Sequence, residues 1–355
     1  MNAELMKHIE AETTGAITHA EIFQQPALWL TTLERVGAIN LEIQGQVVLT
    51  GAGTSAHAAS AVAAGWPGAL AIPTTDLLLD DLPFASNGLL VSLARSGDSP
   101  ESVGVVNRIQ RERPQVRHLA ITSNARGRLA SVPGIERILL DPRTNDRSLV
   151  MTSSFSNLVL AGLYLHNPDR VAVELPALSR RIEAALPSLD AQAKRIAQRS
   201  VSRVLVLASS PLLPMAREIA LKITEMSAGA IIALPETYLG LRHGPMAFLR
   251  GDTLVLCIQS SSPARRRYEE DLLREIKNKN LGRIVAIAEA DSPELFDEHI
   301  AASAPGLPDE LRTPFEIVFP QLLAYYLSLG CGLNPDSPSP DGVIARVVQG
   351  VTIYP

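Results

Sequence analysis

A chain of 355 residues exceeds the roughly 250–300 over which a single hydrophobic core usually grows, so two cores are expected. Hydrophobic residues at 46%, aromatics at 4% and charged residues at 19% describe an aliphatic-rich globular protein and exclude intrinsic disorder. The formal net charge of -5 gives no electrostatic reason to expect binding to nucleic acid or an anionic membrane, both of which reward a basic face, so any anion must be held by local groups.

The N-terminal stretch MNAELMKHIEAETTG has neither a basic start nor an apolar signal core, and no apolar run approaches the roughly 20 residues of a membrane helix. A cytoplasmic protein is expected. Residues 1–40 read as a helical lead-in with a turn at Gln25-Pro26. Over residues 41–190, short apolar runs alternate with helical stretches: QVVLT at 46–50, LLVSLA at 89–94, VRHLAIT at 116–122 and RILLD at 137–141. This rhythm predicts an α/β domain with a doubly wound, mostly parallel sheet flanked by helices. A polar helical stretch around 176–200 follows, and over 191–335 the rhythm restarts with RVLVLASS at 203–210, a long helix from about 214, DTLVLCIQSSS at 252–262 and RIVAIAEA at 283–290. TGAGTSAHAA aligns with ASSPLLPMAREIA, LVSLARSGDSPES with LVLCIQSSSPARR, and HLAITSN with IVAIAEA, at an offset of about 160 residues; two copies of one domain are expected. The run RRRYEEDLLREIKNK at 265–279 mixes charge signs at helical spacing and reads as a solvated helix face. Residues 336–355 form a turn-rich tail whose end can dock as a strand or helix end. Cys257 and Cys331, with no CxxC pair, are expected to be reduced core thiols.

Five segments carry side chains suited to chemistry. In LTGAGTSAHAA (49–59), Gly51 and Gly53 permit a sharp turn out of a strand, and Thr54 and Ser55 bring hydroxyls to a helix start, where backbone N–H groups favour phosphate. With Ala56 in the sixth place, and Asp76 at the distance of a ribose contact, the loop also fits a dinucleotide fingerprint, and it serves equally as a plain glycine turn. SLARSGDSPES (92–102) adds a second such turn, with Ser96, Gly97, Ser99 and Ser102. Two hydroxyl-rich turns in one domain favour a phosphate with attached hydroxyls over a dinucleotide, although a loop capping a helix at Pro100 needs no ligand. MTSSFSN (151–157) places Thr152, Ser153 and Ser154 at a further helix start, as binding groups or as caps. In MAREIALKITEMS (215–227), Glu218, Lys222 and Glu225 project from one side of a helix whose Ile219, Ala220, Leu221 and Ile223 predict burial, so the charged side should face a cleft. In ETYLGLRHGPMAFL (236–249), His243 stands in a loop, where an imidazole can transfer protons near neutral pH. The other histidines, at 8, 19, 57, 118, 166 and 299, form no HxxxH or HExxH pattern, and neither a metal nor another cofactor is expected.

Together GAGTS, RSGDSPES, MTSS, EIALKITE and LRHGP resemble the tandem SIS-domain sugar isomerases, a group that includes the isomerase half of glucosamine-fructose-6-phosphate aminotransferase. EIFQQPALW near residue 21, IPTTDL at 72–77, DRSLVMTSS at 146–154 and the final NPDSPSPDGVIARVVQGVTIYP are most similar to the AgaS branch, the galactosamine-6-phosphate deaminase/isomerases also called tagatose-6-phosphate ketose/aldose isomerases. The resemblance implies two tandem SIS domains and a phosphorylated amino-sugar substrate. It implies that Gly53, Thr54, Ser55, Ser96, Gly97 and Ser99 hold the phosphate, with Thr152 and Ser153 as further binding groups. Glu225 would move a proton between C1 and C2, Lys222 and Glu218 would set its charge and hold sugar hydroxyls, and His243 would open the sugar ring. In the superfamily that histidine can come from a neighbouring subunit, which implies a homodimer or dimer of dimers with shared sites. Gln349 stands where the aminotransferase has a tail lysine, and no glutamine-hydrolysing domain precedes the SIS pair, so release of ammonia is the expected direction. The alternatives are a fructosamine-6-phosphate deglycase, another phosphosugar aldose/ketose isomerase, and a non-catalytic sugar-phosphate sensor. The absence of a basic helix-turn-helix segment weighs against the sensor.

Overall fold

The computed structural model describes residues 14–39, 43–348 and 350–354. Helices α1 (Ala16–Phe23) and α2 (Gln25–Gly37) lead into strand β1 (Gln46–Thr50) and helix α3 (Thr54–Ala64). The chain continues through β2 (Leu70–Ala71), α4 (Thr74–Leu79), β3 (Gly88–Ala94), α5 (Pro100–Glu112), β4 (Val116–Thr122), β5 (Glu136–Leu139) and α6 (Ser153–His166). The 30-residue helix α7 (Pro168–Ala197) spans the polar stretch between the two repeats. The second half comprises β6 (Arg203–Ala208), α8 (Leu213–Met226), β7 (Ile232–Glu236), α9 (Tyr238–Leu241), β8 (Leu254–Ile258), α10 (Pro263–Asn278), β9 (Arg283–Ala288), β10 (Glu298–Ala301), α11 (Asp309–Glu316) and α12 (Val318–Gly330).

Two five-stranded sheets result, ordered β2-β1-β3-β4-β5 and β10-β9-β8-β6-β7, with every pairing parallel. Counted from its own first strand, each sheet has the order 2-1-3-4-5, so the internal repeat is a repeat of topology. Helices cover both faces of each sheet, and β3 and β8 are accordingly buried along their whole length. The edge strands β2, β7 and β10 escape the sequence pattern because partial exposure relieves them of a continuous apolar run; β7 tolerates Pro235 for the same reason.

The core departs from the expected pair. One continuous cluster joins Val47 and Leu49 of the first sheet to Val204 and Val206 of the second, because α3, α6, α8 and α12 pack in the layer between them. Separate clusters fill the outer face of each sheet. Cys257 is buried as expected, but Cys331 is exposed just past the end of α12 and is not a core thiol. Described tail residues beyond 334 form neither strand nor helix. Among the described residues no helix is long and apolar enough to cross a membrane.

Candidate active site

Strand order reverses between β1 and β3, and a cavity of about 310 Å³ opens past their C-terminal ends. Open doubly wound sheets bind ligands at such switch points, and this volume suits a small molecule. Gly53, with φ 57°, occupies the N-cap of α3 in a conformation that side-chain-bearing residues avoid. Gly51 is required sterically: a Cβ there would lie 2.5 Å from the carbonyl carbon of Ser55. The turn thus brings Gly53, Thr54 and Ser55 to one wall of the cavity. Ser96, Gly97 and Ser99 form another wall, with Gly97 at φ 65° and Ser99 at the N-cap position of α5, its hydroxyl donating to Glu101. Asn124 braces this second turn by donating to the Ser96 carbonyl at 2.9 Å.

The helix α8 contributes the charged groups. Glu225 lines the cavity with its side chain 32% exposed, and Lys222 donates a hydrogen bond to it. Lys222 Nζ also lies 3.5 Å from Oε1 of Glu218, whose side chain is wholly buried. Burial opposes the Lys222 charge, but the carboxylates of Glu225 and Glu218 outweigh it and hold the ammonium above the ordinary lysine range. Glu218 and Lys222 do not line the cavity, so the expected direct contact of these two with sugar hydroxyls is not provided for. They stand behind Glu225. Thr54 Oγ1 donates to Glu218 Oε1 at 3.1 Å, tying the first turn to the α8 helix.

Thr152 and Ser153 do not reach the cavity. Both are fully buried, and the start of α6 is satisfied from within: Asp146 accepts from the N–H groups of Thr152, Ser153 and Ser154 and from the Ser153 and Ser154 hydroxyls. MTSS is a capped helix start. His243 is exposed between α9 and the 3-10 turn Pro245–Phe248, away from the cavity lining. Its loop is held by Arg242, which pairs with Glu275 at 2.8 Å and Asp271 at 2.9 Å. Asp76 is exposed on α4 and likewise remote from the lining, so the dinucleotide reading loses its ribose contact.

Three groups were not singled out by sequence. Arg95, 7% exposed, lies at the cavity floor and donates to the carbonyls of Ser148, Leu149 and Arg346. Burial, aided by the nearby Arg346 charge, lowers its pKa to about 10, still far above neutrality. The tail runs over the cavity through residues 344–348, and Arg346 anchors it by donating to Asn145 Oδ1 and the Asp146 carbonyl. Gln349 lies outside the described residues. His57, one turn after Thr54, places Nδ1 3.0 Å from Glu218 Oε2. A lone arginine ending the apolar run LLVSLAR was a readable signal for the first. For the third, the i, i+3 spacing from Thr54 was the signal.

The segments around Glu21, residues 147–149 and Asp336 meet behind this site. Glu21 accepts from Arg147 N and from Ser148, while Asp336 accepts from Thr18 N at 2.7 Å and its carbonyl accepts from Leu149 N at 2.9 Å. They brace the stretch that carries Leu149 and Met151 into the cavity wall.

In the second sheet, donors just past the ends of β6 and β8 are taken by carboxylates of the chain itself. Glu269, fully buried despite lying in the charged run of α10, accepts from Ser209 Oγ at 2.5 Å and Ser260 N at 2.9 Å. Asp309 accepts from Ser260 Oγ and Ser261 N and pairs with the buried Arg312 at 3.0 Å. These carboxylates occupy donors at strand ends equivalent to those of the glycine-hydroxyl turns of the first sheet. A separate cavity of about 280 Å³, lined by Ser209, Ser210, Thr237 and Arg265 among others, remains open beside them.

No family model matches the chain. A Streptomyces coelicolor protein named as a candidate D-galactosamine-6-phosphate deaminase, AgaS, is 38% identical over 380 aligned positions, covering 98% of this chain and 97% of the relative. The D-galactosamine-6-phosphate deaminase AgaS of Shewanella sp. strain ANA-3 is 34% identical, covering 95% and 92%. The crystal structure of tagatose-6-phosphate ketose/aldose isomerase from Escherichia coli superposes with a TM-score of 0.84 at 30% identity, covering 96% of each chain. Matches of this extent leave no part of the doubly wound pair unaccounted for, and they place the chain in the AgaS family of SIS-type phosphosugar deaminase/isomerase enzymes.

Proposed function

We propose that this enzyme converts D-galactosamine 6-phosphate and water to D-tagatose 6-phosphate and ammonia. The observation that carries the reading is the shared cavity: hydroxyl-bearing turns on two sides and the Glu225 carboxylate, paired to a buried lysine, on a third. Thr54, Ser55, Ser96 and Ser99, with the backbone of Gly53 and Gly97, hold the phosphate on C6, and the Arg95 charge at the floor offsets its negative charge. In the open-chain aldehyde, Glu225 takes the hydrogen from C2 as a proton, leaving an enediol-like C1–C2 double bond that bears the amine. Return of the proton to C1 gives an imine at C2. Water adds to that carbon, ammonia departs with the C2–N electron pair after protonation, and the ketone remains.

Ring opening needs an acid or base at the ring oxygen. His243 fits that role if a second copy of the chain brings its exposed loop to this cavity, so the active enzyme is a homodimer at least, working in the cytoplasm on a diffusible sugar phosphate. Purified protein should release ammonia from galactosamine 6-phosphate faster than from glucosamine 6-phosphate, and Glu225→Gln should reduce that rate by about 100-fold or more. Ketose formation without ammonia would replace deamination by plain aldose/ketose isomerisation. An unchanged rate in Glu225→Gln would remove the assigned base.

A further inference from the structure

We infer that His57 is a positioning residue for the base, acting through Glu218 and Lys222. The inference rests on the reading of Glu225 as the group that moves the proton. Thr54 and His57 lie three residues apart on α3 and so share one face of that helix, which packs against α8. Both point at the same carboxylate. Glu218 Oε1 accepts from Thr54 at 3.1 Å, and its Oε2 lies 3.0 Å from His57 Nδ1, which must carry the hydrogen because a carboxylate only accepts. The Glu218 side chain is 0% exposed and that of His57 25%, so the imidazole closes the solvent side of an otherwise enclosed anion.

The consequence follows from competition for one cation. Lys222 stands between two carboxylates, hydrogen-bonded to Glu225 and 3.5 Å from Glu218. Interaction energies in a buried site fall slowly with distance, so the lysine's preference depends on how much of the Glu218 charge is already satisfied. Donation from His57 and Thr54 satisfies Glu218 from the α3 side and leaves Lys222 committed to Glu225. Without the imidazole, Oε2 of a buried carboxylate loses its donor, Glu218 draws Lys222 toward itself, and Glu225 loses the partner that fixes its rotamer. His57 does not line the cavity, and its contact with the first turn is through its backbone N–H to the Gly53 carbonyl, which a side-chain substitution leaves in place, so its effect should fall on turnover rather than on substrate capture.

The test uses full-length protein with His57→Leu, His57→Asn and Glu225→Gln, assayed for ammonia release with kcat and KM separated and with thermal unfolding recorded on each. His57→Leu removes the donor while preserving bulk, and kcat should fall roughly 10- to 100-fold, the loss typical of a reacting group displaced by about 1 Å. KM should stay within about threefold. His57→Asn restores a donor near the Nδ1 position and should bring kcat back to within about threefold of the parent. An undiminished kcat in His57→Leu, an equal loss in the Leu and Asn variants, or a rise in KM parallel to the fall in kcat would each overturn the inference. Retained activity in Glu225→Gln would instead overturn the assignment of the base, and the two failures are read from different proteins.

Discussion

Replacing Lys222 with methionine keeps most of the side-chain volume and removes the cation held between Glu218 and Glu225. The lysine side chain is 1% exposed and that of Glu218 0%, so the substitution strands a carboxylate that water cannot reach. Removing one partner of a buried ion pair costs about 3–5 kcal/mol. Thr54 and His57 remain on Glu218, which argues for the lower end, about 3 kcal/mol. At about 2–4 °C per kcal/mol for domains of this size, thermal unfolding should occur roughly 6–12 °C lower. Glu225 simultaneously loses its hydrogen-bond partner, and ammonia release should drop by about 100-fold. The decisive comparison is the double variant Glu218→Gln/Lys222→Met, which removes the stranded charge and should recover about 2 kcal/mol of the lost stability as a coupling energy. Unfolding of Lys222→Met within about 2 °C of the parent, or a double variant no more stable than the single one, would refute the claim that these groups form one electrostatic unit.

Ser55→Ala removes a cavity hydroxyl and should raise KM by roughly 10- to 100-fold, the loss of one hydrogen bond to a charged group, whereas Ser153→Ala should leave KM within about twofold and lower stability by about 1–3 kcal/mol because its hydroxyl serves Asp146. Arg346→Ala unfastens the tail from Asn145 and Asp146, and steady-state kinetics should show KM rising by about tenfold with the unfolding temperature nearly unchanged. His118 is buried in β4 with neither ring nitrogen hydrogen-bonded, and burial lowers its pKa to about 4 from the usual 6.5. The native state resists its protonation, so stability is complete above pH 6.5 and falls as pH drops toward 4, by up to about 3 kcal/mol; denaturant titration of His118→Val across that window should show a shallower loss.

The central strands were legible because each is a short apolar run with both faces covered, and the expected QVVLT and VRHLAIT coincide with β1 and β4. The two glycine-hydroxyl turns were legible for a related reason, since each follows an apolar strand and opens a helix, and the structure brings both to one cavity. Periodicity could not show that Asp146, seven residues before Ser153, already fills the start of α6, because a cap and a ligand place the same demand on a helix N-terminus. Glu269 misled in the opposite sense. Its neighbours Arg265, Arg266 and Glu270 mark a solvated face, and only the fold reveals that one carboxylate of the run turns inward to Ser209 and Ser260. The partners of Arg95 lie 53 to 251 residues away in sequence, beyond the reach of any local pattern.

The carboxylates at the strand ends of the second sheet give that half of the molecule a permanent internal guest. Substrate binding brings a new partner to the turns at Gly53 and Gly97, whereas Ser209 and Ser260 already have theirs. Amide hydrogen exchange around Ser209 and Ser260 should therefore be slow and indifferent to added sugar phosphate, while protection around Gly53 and Gly97 rises on binding. A duplicated architecture has in this way divided its labour, with one copy responsive and the other already at rest.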